Sequence, residues 1–205
     1  MTITYHDLMH AARAALRAAG VDDEANKLEA QDLICAATGK TPEQLYRDFS
    51  LYTTDAIAET IEKYMDRRLA GEPIAYIIGE WDFMGLRFFV NPAALIPRVD
   101  TEMLAQLAIS RLKEHPGHTR VLDLCAGTGC VGLSIAATLK NTRAILVDLS
   151  DGALDLCKRN IRRHKLTGRA VYVKGDALQP PSHTLGQFDA LVCNPPDIPT
   201  GDLPA

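Results

Sequence analysis

Asn194, Pro195, Pro196 and Asp197 stand at the end of the apolar run "FDALVC". Neither proline has a backbone N–H, so no paired strand continues through them. The strand therefore delivers an Asn side chain and a stiff row of carbonyls. An Asn oxygen and a proline carbonyl oxygen, held side by side, form two adjacent acceptors. That pair suits one planar NH₂ group with two donors, as carried by a carboxamide or by adenine. The lone pair of such a nitrogen is delocalised. Holding both hydrogens out of the amide plane localises it and aims it at an electrophile. The plainer alternative is a turn that merely ends a strand.

Other polar residues also follow apolar runs. "DLCAGTGC", Asp123 to Cys130, is a glycine-rich turn after "RVLDL". Gly127 and Gly129 allow a ligand to approach the main chain, and the helix that follows offers free N–H groups. Such a turn suits a dinucleotide or a nucleoside, or is structural only. There is no Gly-Lys-Ser/Thr, which argues against a phosphate loop. Asp148 ends the next apolar run, about 20 residues beyond the glycines, where an acid can accept both hydroxyls of a ribose. Asp176, in "KGDAL", can accept from an adenine amino group or cap a turn. Ribose and adenine partners without a phosphate device point to a nucleoside cofactor, and S-adenosyl-L-methionine fits best.

These residues need a scaffold that brings strand ends together. After Pro116 and Gly117 the order reads strand, helix, strand, helix, strand, strand: "RVLDL", "CVGLSIAATL", "RAILVD", "DGALDLCKRNIRRH", "AVYV", "ALVC". Short all-apolar strands alternating with helices imply a parallel sheet covered on both faces, with ligands beyond the carboxyl ends of its strands. Before it, "NPAALIPRVDTE" leads into a helix near Asp100 or Thr101, with Leu104, Leu107, Ala108 and Leu112 on its buried face. "IAYIIG" and "LRFFV", flanking "WDFMG", read as a β-hairpin. Residues 1–70 read as four short amphipathic helices. Leu8, Ala12, Leu16 and Ala19 mark the first, Ala30, Leu33, Ile34 and Ala37 the second. Thr41, Pro42 and Gln44 form a capping box for the third. Ile57, Ile61, Tyr64, Met65 and Leu69 give the fourth its inward face.

Across 205 residues the formal net charge is −4, so there is no bulk attraction to a polyanion. The basic run Lys158, Arg159, Arg162, Arg163 and Lys165 reads as a solvated helix face. No apolar run approaches the ~20 residues needed to span a bilayer, and the N-terminus lacks a signal-peptide pattern. These features imply a cytoplasmic protein. The five cysteines lack CxxC spacing and read as reduced, mostly buried thiols. "HPGH", His115 to His118, has no thiol or carboxylate cluster beside it, so no metal site is expected.

"NPP" after a strand, with "VLDLCAGTG" and "LVDLS" upstream, resembles the amino-methylating class I S-adenosylmethionine methyltransferases. "GEPIAYIIGEWDFMGLRFFVNPAALIPRVDTEML" narrows the resemblance to the HemK-type protein-glutamine N5-methyltransferases, and it extends over essentially the whole chain. That family methylates the Gln of the GGQ motif in peptide-chain release factors. The resemblance implies an N-terminal helical substrate-recognition domain (1–72), a β-hairpin linker (73–92) and a Rossmann-like α/β methyltransferase domain (93–205). Cys125, Ala126, Gly127, Thr128 and Gly129 would line the methionine part of the cofactor. Asp148 would hold the ribose, and Asp176 and Ala177 would sit at the adenine. Asn194, also next to the cofactor, would clamp the glutamine amide with Pro195, and Pro196 and Asp197 would complete the substrate pocket. Pro97 and Arg98 would border the site, unless Arg98 serves a structural ion pair.

The chain departs from that pattern in three places. Cys125 stands where the family usually has a glycine, which is expected to weaken cofactor binding. Asp197 replaces the aromatic of NPPY; a carboxylate cannot stack on a planar substrate and is costly to bury unpaired. The family sheet continues for about three more strands, whereas six residues follow Pro199 here. The strand at 188–193 is therefore expected to present an open edge: either the chain is a fragment, or a partner or second copy covers that edge, or the tail folds back. Two other readings stay open: an N6-adenine methyltransferase on RNA or DNA, and a shortened, catalytically impaired relative acting as a binding module.

Overall fold

The computed structural model describes residues 3–180 and 185–195. Pro196 and Asp197 lie outside the described residues. The chain divides into two compact units, Met1–Ile78 and Gly79–Ala205.

The first unit is helical: α1 (Tyr5–Ala18), α2 (Asp23–Thr38), α3 (Pro42–Arg47), α4 (Asp55–Leu69) and α5 (Ile74–Ile78). Its starts are written in the sequence. Thr4 and Asp7 form a capping box on α1, and Thr41 and Gln44 do so on α3, with Pro42 in the first turn. Gly39, in the left-handed region, closes α2. Leu16, Ala30, Leu33, Ile34, Leu45 and Ile61 fill the core between these helices. Leu69, expected inside, is 45% exposed because the inward stripe of α4 ends at Met65.

One element differs in kind from the sequence reading. "IAYII" is a single helical turn, not a strand. Pro73 opens it, its carbonyl accepting from the amides of Tyr76 and Ile77. Ile74, Ile77 and Ile78 pack onto the helical core. The β-propensity of this run is overridden by the apolar face it meets. The hairpin begins afterwards, as β1 (Glu80–Phe83) and β2 (Leu86–Phe89). Met84 and Gly85 both have positive φ in its two-residue turn.

The second unit continues with α6 (Val99–Lys113), β3 (Thr119–Leu124), α7 (Cys130–Thr138), β4 (Thr142–Asp148), α8 (Asp151–Arg163), β5 (Ala170–Lys174) and β6 (Ala190–Cys193). The four strands from β3 onward form one parallel sheet in the order β5-β4-β3-β6, an α/β Rossmann-like arrangement. The chain moves outward from β3 to β5, then returns to place β6 on the other side of β3. Right-handed crossovers require the outward and returning connections to use opposite faces of the sheet. Accordingly Leu133, Ile135, Cys157 and Ile161 of α7 and α8 share one core cluster with Ala105 and Leu112 of α6. Leu185 and Phe188, from the returning segment, pack with Leu122, Ile145 and Val147. Leu107 of α6 is exposed, and Ala105 takes the inward position instead. Among the described residues β6 is an edge strand, with Leu191 60% exposed. No helix there is long and apolar enough to cross a membrane.

Candidate active site

The sequence-selected residues converge at the carboxyl ends of four adjacent strands. In sheet order these are Asp176 after β5, Asp148 at the end of β4, Cys125 to Gly129 after β3, and Asn194 after β6. The strand order reverses between β3 and β6, the place where open α/β sheets form a ligand crevice.

Asp148 organises the loop. One carboxylate oxygen, Oδ2, accepts the Gly127 N–H at 2.8 Å, and Oδ1 accepts the Ser150 N–H at 3.0 Å. The Ala126 amide donates to the Val147 carbonyl at 3.0 Å. The loop after β3 is thus stitched to the end of β4. A carboxylate has about four acceptor sites, so two bonds leave capacity for hydroxyl groups. Ser150, not Asp148, is the N-cap of α8. Beyond β5, the Gly175 N–H donates to the Asp148 carbonyl at 3.1 Å, which brings Asp176 to the same edge. There Asp176 accepts the Leu178 N–H in a local turn, and Ala177 is exposed.

Gly127 and Gly129 adopt positive φ, 55° and 78°, as the loop turns into α7. Cys125 also has a positive φ, 56°. A side chain in that conformation costs about 1–2 kcal/mol, so Cys125 leaves strain in the backbone of the loop. Burial, with Cys193 beside it, pushes the Cys125 thiol up to about 11. None of the five cysteines is paired; Cys130 and Cys157 are buried, and Cys35, Cys125 and Cys193 are half-buried.

Two buried polar residues that the sequence reading gave no role hold this loop. Asp123, 2% exposed, accepts the Gly132 N–H at 2.8 Å. Gly129 caps α7 without a side chain, so a strand residue supplies the missing acceptor. Burial pushes the Asp123 carboxyl up to about 7, against the pull of that hydrogen bond. Asn160 of α8 is fully buried. It accepts the Phe89 N–H at 2.8 Å and donates to the carbonyls of Phe89 at 3.1 Å and Thr128 at 2.9 Å. One amide therefore joins α8, the hairpin strand β2 and the glycine loop. The available signals were an acid inside the apolar strand "RVLDL" and an Asn on the apolar face of α8.

Asn194 and Pro195 are exposed at the end of β6. The Asn194 Nδ2 donates to Oγ1 of Thr101 at 3.1 Å. Thr101 lies in the first turn of α6, beside Glu102, whose Oε1 accepts the Met84 N–H of the hairpin turn at 2.7 Å. Pro97 is buried just before this turn, and Arg98 is the exposed N-cap residue of α6. The basic face of α8 is not simply solvated. Arg159 and Arg163 lie over the Phe89 ring, 4.4 and 4.3 Å from its centroid, and Arg163 pairs with Glu80 at 2.6 Å.

A family model described as the methyltransferase small domain matches residues 97–200. The chain belongs to the methyltransferase small domain family. A second model, the PrmC N-terminal domain, matches residues 7–79. Among curated relatives, a "Release factor glutamine methyltransferase" of Moorella thermoacetica is 38% identical over 92% of this chain and 65% of its own length. The protein of the same description from Geobacter sulfurreducens is 36% identical over 94% of this chain and 65% of its own. A "Bifunctional methyltransferase" of Rickettsia typhi is 34% identical over 84% of this chain and 36% of its own. The chain thus spans just under two thirds of the length of the first two relatives. The methyltransferase small domain includes α6, the four-stranded sheet and the loops at its strand ends.

Proposed function

We propose that this chain belongs to an S-adenosylmethionine-dependent enzyme that methylates the side-chain amide nitrogen of the GGQ glutamine in peptide-chain release factors, in the cytoplasm. The observation that carries the reading is the delivery of Asn194 and Pro195 by β6 beside the Asp148-pinned glycine loop of β3. The relatives described as release factor glutamine methyltransferases support it.

The residues present fit the cofactor. Gly127 has nothing nearer its missing Cβ than Ala94 at 3.7 Å, so the loop backbone is approachable there. Asp148 keeps acceptor sites for a ribose diol, and Asp176 supplies a carboxylate for the adenine amino group. Cys125 to Gly129 would lie along the methionine part. S-adenosylmethionine supplies, when bound, an electrophilic methyl group carried on sulfonium sulfur. The chain's own task is to hold the glutamine nitrogen. The Asn194 Oδ1 and the Pro195 carbonyl accept its two hydrogens, and the rigid proline backbone fixes their spacing. With both hydrogens so engaged, the lone pair is directed rather than spread into the carbonyl. No side chain must act as a strong base, because the nitrogen sheds its surplus proton only after it has become cationic. The helical unit Met1–Ile78 would recognise the release factor.

The test is transfer of radiolabelled methyl to a GGQ-bearing release factor, with RNA and DNA as competing acceptors. Label on the release factor is expected, lost in Asn194→Ala while cofactor affinity changes little. Label on nucleic acid, or Asn194→Ala with undiminished transfer, would sink the assignment.

A further inference from the structure

An asparagine amide has two ends of nearly equal shape and opposite hydrogen-bonding sense. With its oxygen toward a substrate NH₂ it attracts, and with its nitrogen there it repels. Among the described residues, the side chain hydrogen-bonded to the Asn194 amide is Thr101. We propose that Thr101 is a positioning residue that sets which end of Asn194 faces the substrate.

The geometry is direct. The Asn194 Nδ2–H donates to Thr101 Oγ1 at 3.1 Å, across 93 residues of sequence. A hydroxyl can pair with either end of an amide; here it accepts from the nitrogen end, which leaves Oδ1 for the incoming amide. Thr101 is itself well held. Its N–H donates to the Arg98 carbonyl at 3.0 Å, and the adjacent Glu102 is fastened to the Met84 amide. The residue type matters through its oxygen. Valine copies the branched shape without an acceptor, and serine keeps the acceptor without the branch.

This inference rests on the reading of Asn194 and Pro195 as an amide clamp, and two measurements separate the one from the other. In the full chain, NMR of the Asn194 side-chain NH₂, assigned by its loss in Asn194→Ala, reads the orientation without any turnover. One proton of the pair should be shifted by the Thr101 bond, retained in Thr101→Ser and collapsed toward solvent values in Thr101→Val. Kinetics on a GGQ release factor then read the consequence. Loss of one hydrogen bond together with free rotation of the amide should lower kcat by about tenfold in Thr101→Val. Cofactor Kd should stay within about twofold, and Thr101→Ser should restore most of the rate. With Asn194→Asp both ends are oxygens, so adding Thr101→Val there should cost less than about threefold; the difference is the coupling between the two sites. An NH₂ pair indifferent to Thr101→Val overturns the proposal. So does an equal loss of rate in the Val and Ser variants, or the same loss with aspartate at 194. A chain with the shifted NH₂ pair but no transfer to release factor overturns the clamp and leaves the Thr101 contact standing.

Discussion

Replacing Asn160 by alanine removes one side chain from α8 and strands three backbone groups in two other elements. The Thr128 carbonyl belongs to a residue 2% exposed, and a buried group deprived of its partner costs about 1–3 kcal/mol. The N–H and C=O of half-buried Phe89 each lose a hydrogen bond worth about 0.5–1.5 kcal/mol. Alanine returns at most about 0.7 kcal/mol of helix propensity. The net loss is therefore about 1.5–5 kcal/mol, where an ordinary surface change stays within about 0.5 kcal/mol. The single tryptophan, Trp81, lies in the hairpin that Asn160 anchors, so urea unfolding followed by its fluorescence reads this unit. Asn160→Asp makes a sharper control. It keeps an acceptor for the Phe89 N–H but turns an anion toward two carbonyls. Burial raises the pKa of that carboxyl, so the stabilising form is the protonated one, and stability falls as pH rises through the raised value. The Asp variant should lose more between pH 5 and pH 8 than the parent does. An Asn160→Ala shift below about 1 kcal/mol, or an Asp variant with the pH profile of the parent, would show that the three bonds do not hold the loop in place.

Asp123 imposes a pH dependence of its own. Its carboxyl titrates near 7 in the fold and near 4 when unfolded. Between those values the folded chain holds a proton that the unfolded chain has released, so this group's contribution falls with rising pH, by up to about 1.4 kcal/mol per unit. Asp123→Asn should remove that slope, and an unchanged profile of midpoint urea concentration against pH would refute it. Arg120 organises the segment that leads into β6, donating to the carbonyls of Leu185 and Gln187 and stacking over Phe188. Arg120→Ala should speed limited proteolysis between 185 and 189 at least several-fold, with Arg120→Lys little better, because one ammonium cannot replace a planar fork. Unchanged cleavage would assign that order to other contacts.

The parts of the fold carried by local chemistry were legible. Thr41, Pro42 and Gln44 announced α3, and the apolar strands alternating with helices announced a parallel sheet. The glycines, Asp148 and Asn194 stood out because their types are unusual at strand ends. What was lost depended on distant partners. "IAYII" has strand composition, and only the helical core it meets makes it a turn of helix. Leu107 fits the apolar spacing of α6 yet points outward, since periodicity gives a face but not its limits. Asn160 and Thr101 act across 71 and 93 residues, and no pattern within one helix shows what lies opposite it.

Thr101 and Glu102 are consecutive, so their side chains leave the helix about 100° apart. One reaches Asn194, and the other reaches the hairpin turn through the Met84 amide. A fraying of that first turn large enough to release one would release the other. The Met84 N–H, far from Asn194 in sequence, then becomes a reporter of the Asn194–Thr101 bond. Its rate of exchange with deuterated solvent should track how often the Asn194 side chain lets go of Thr101.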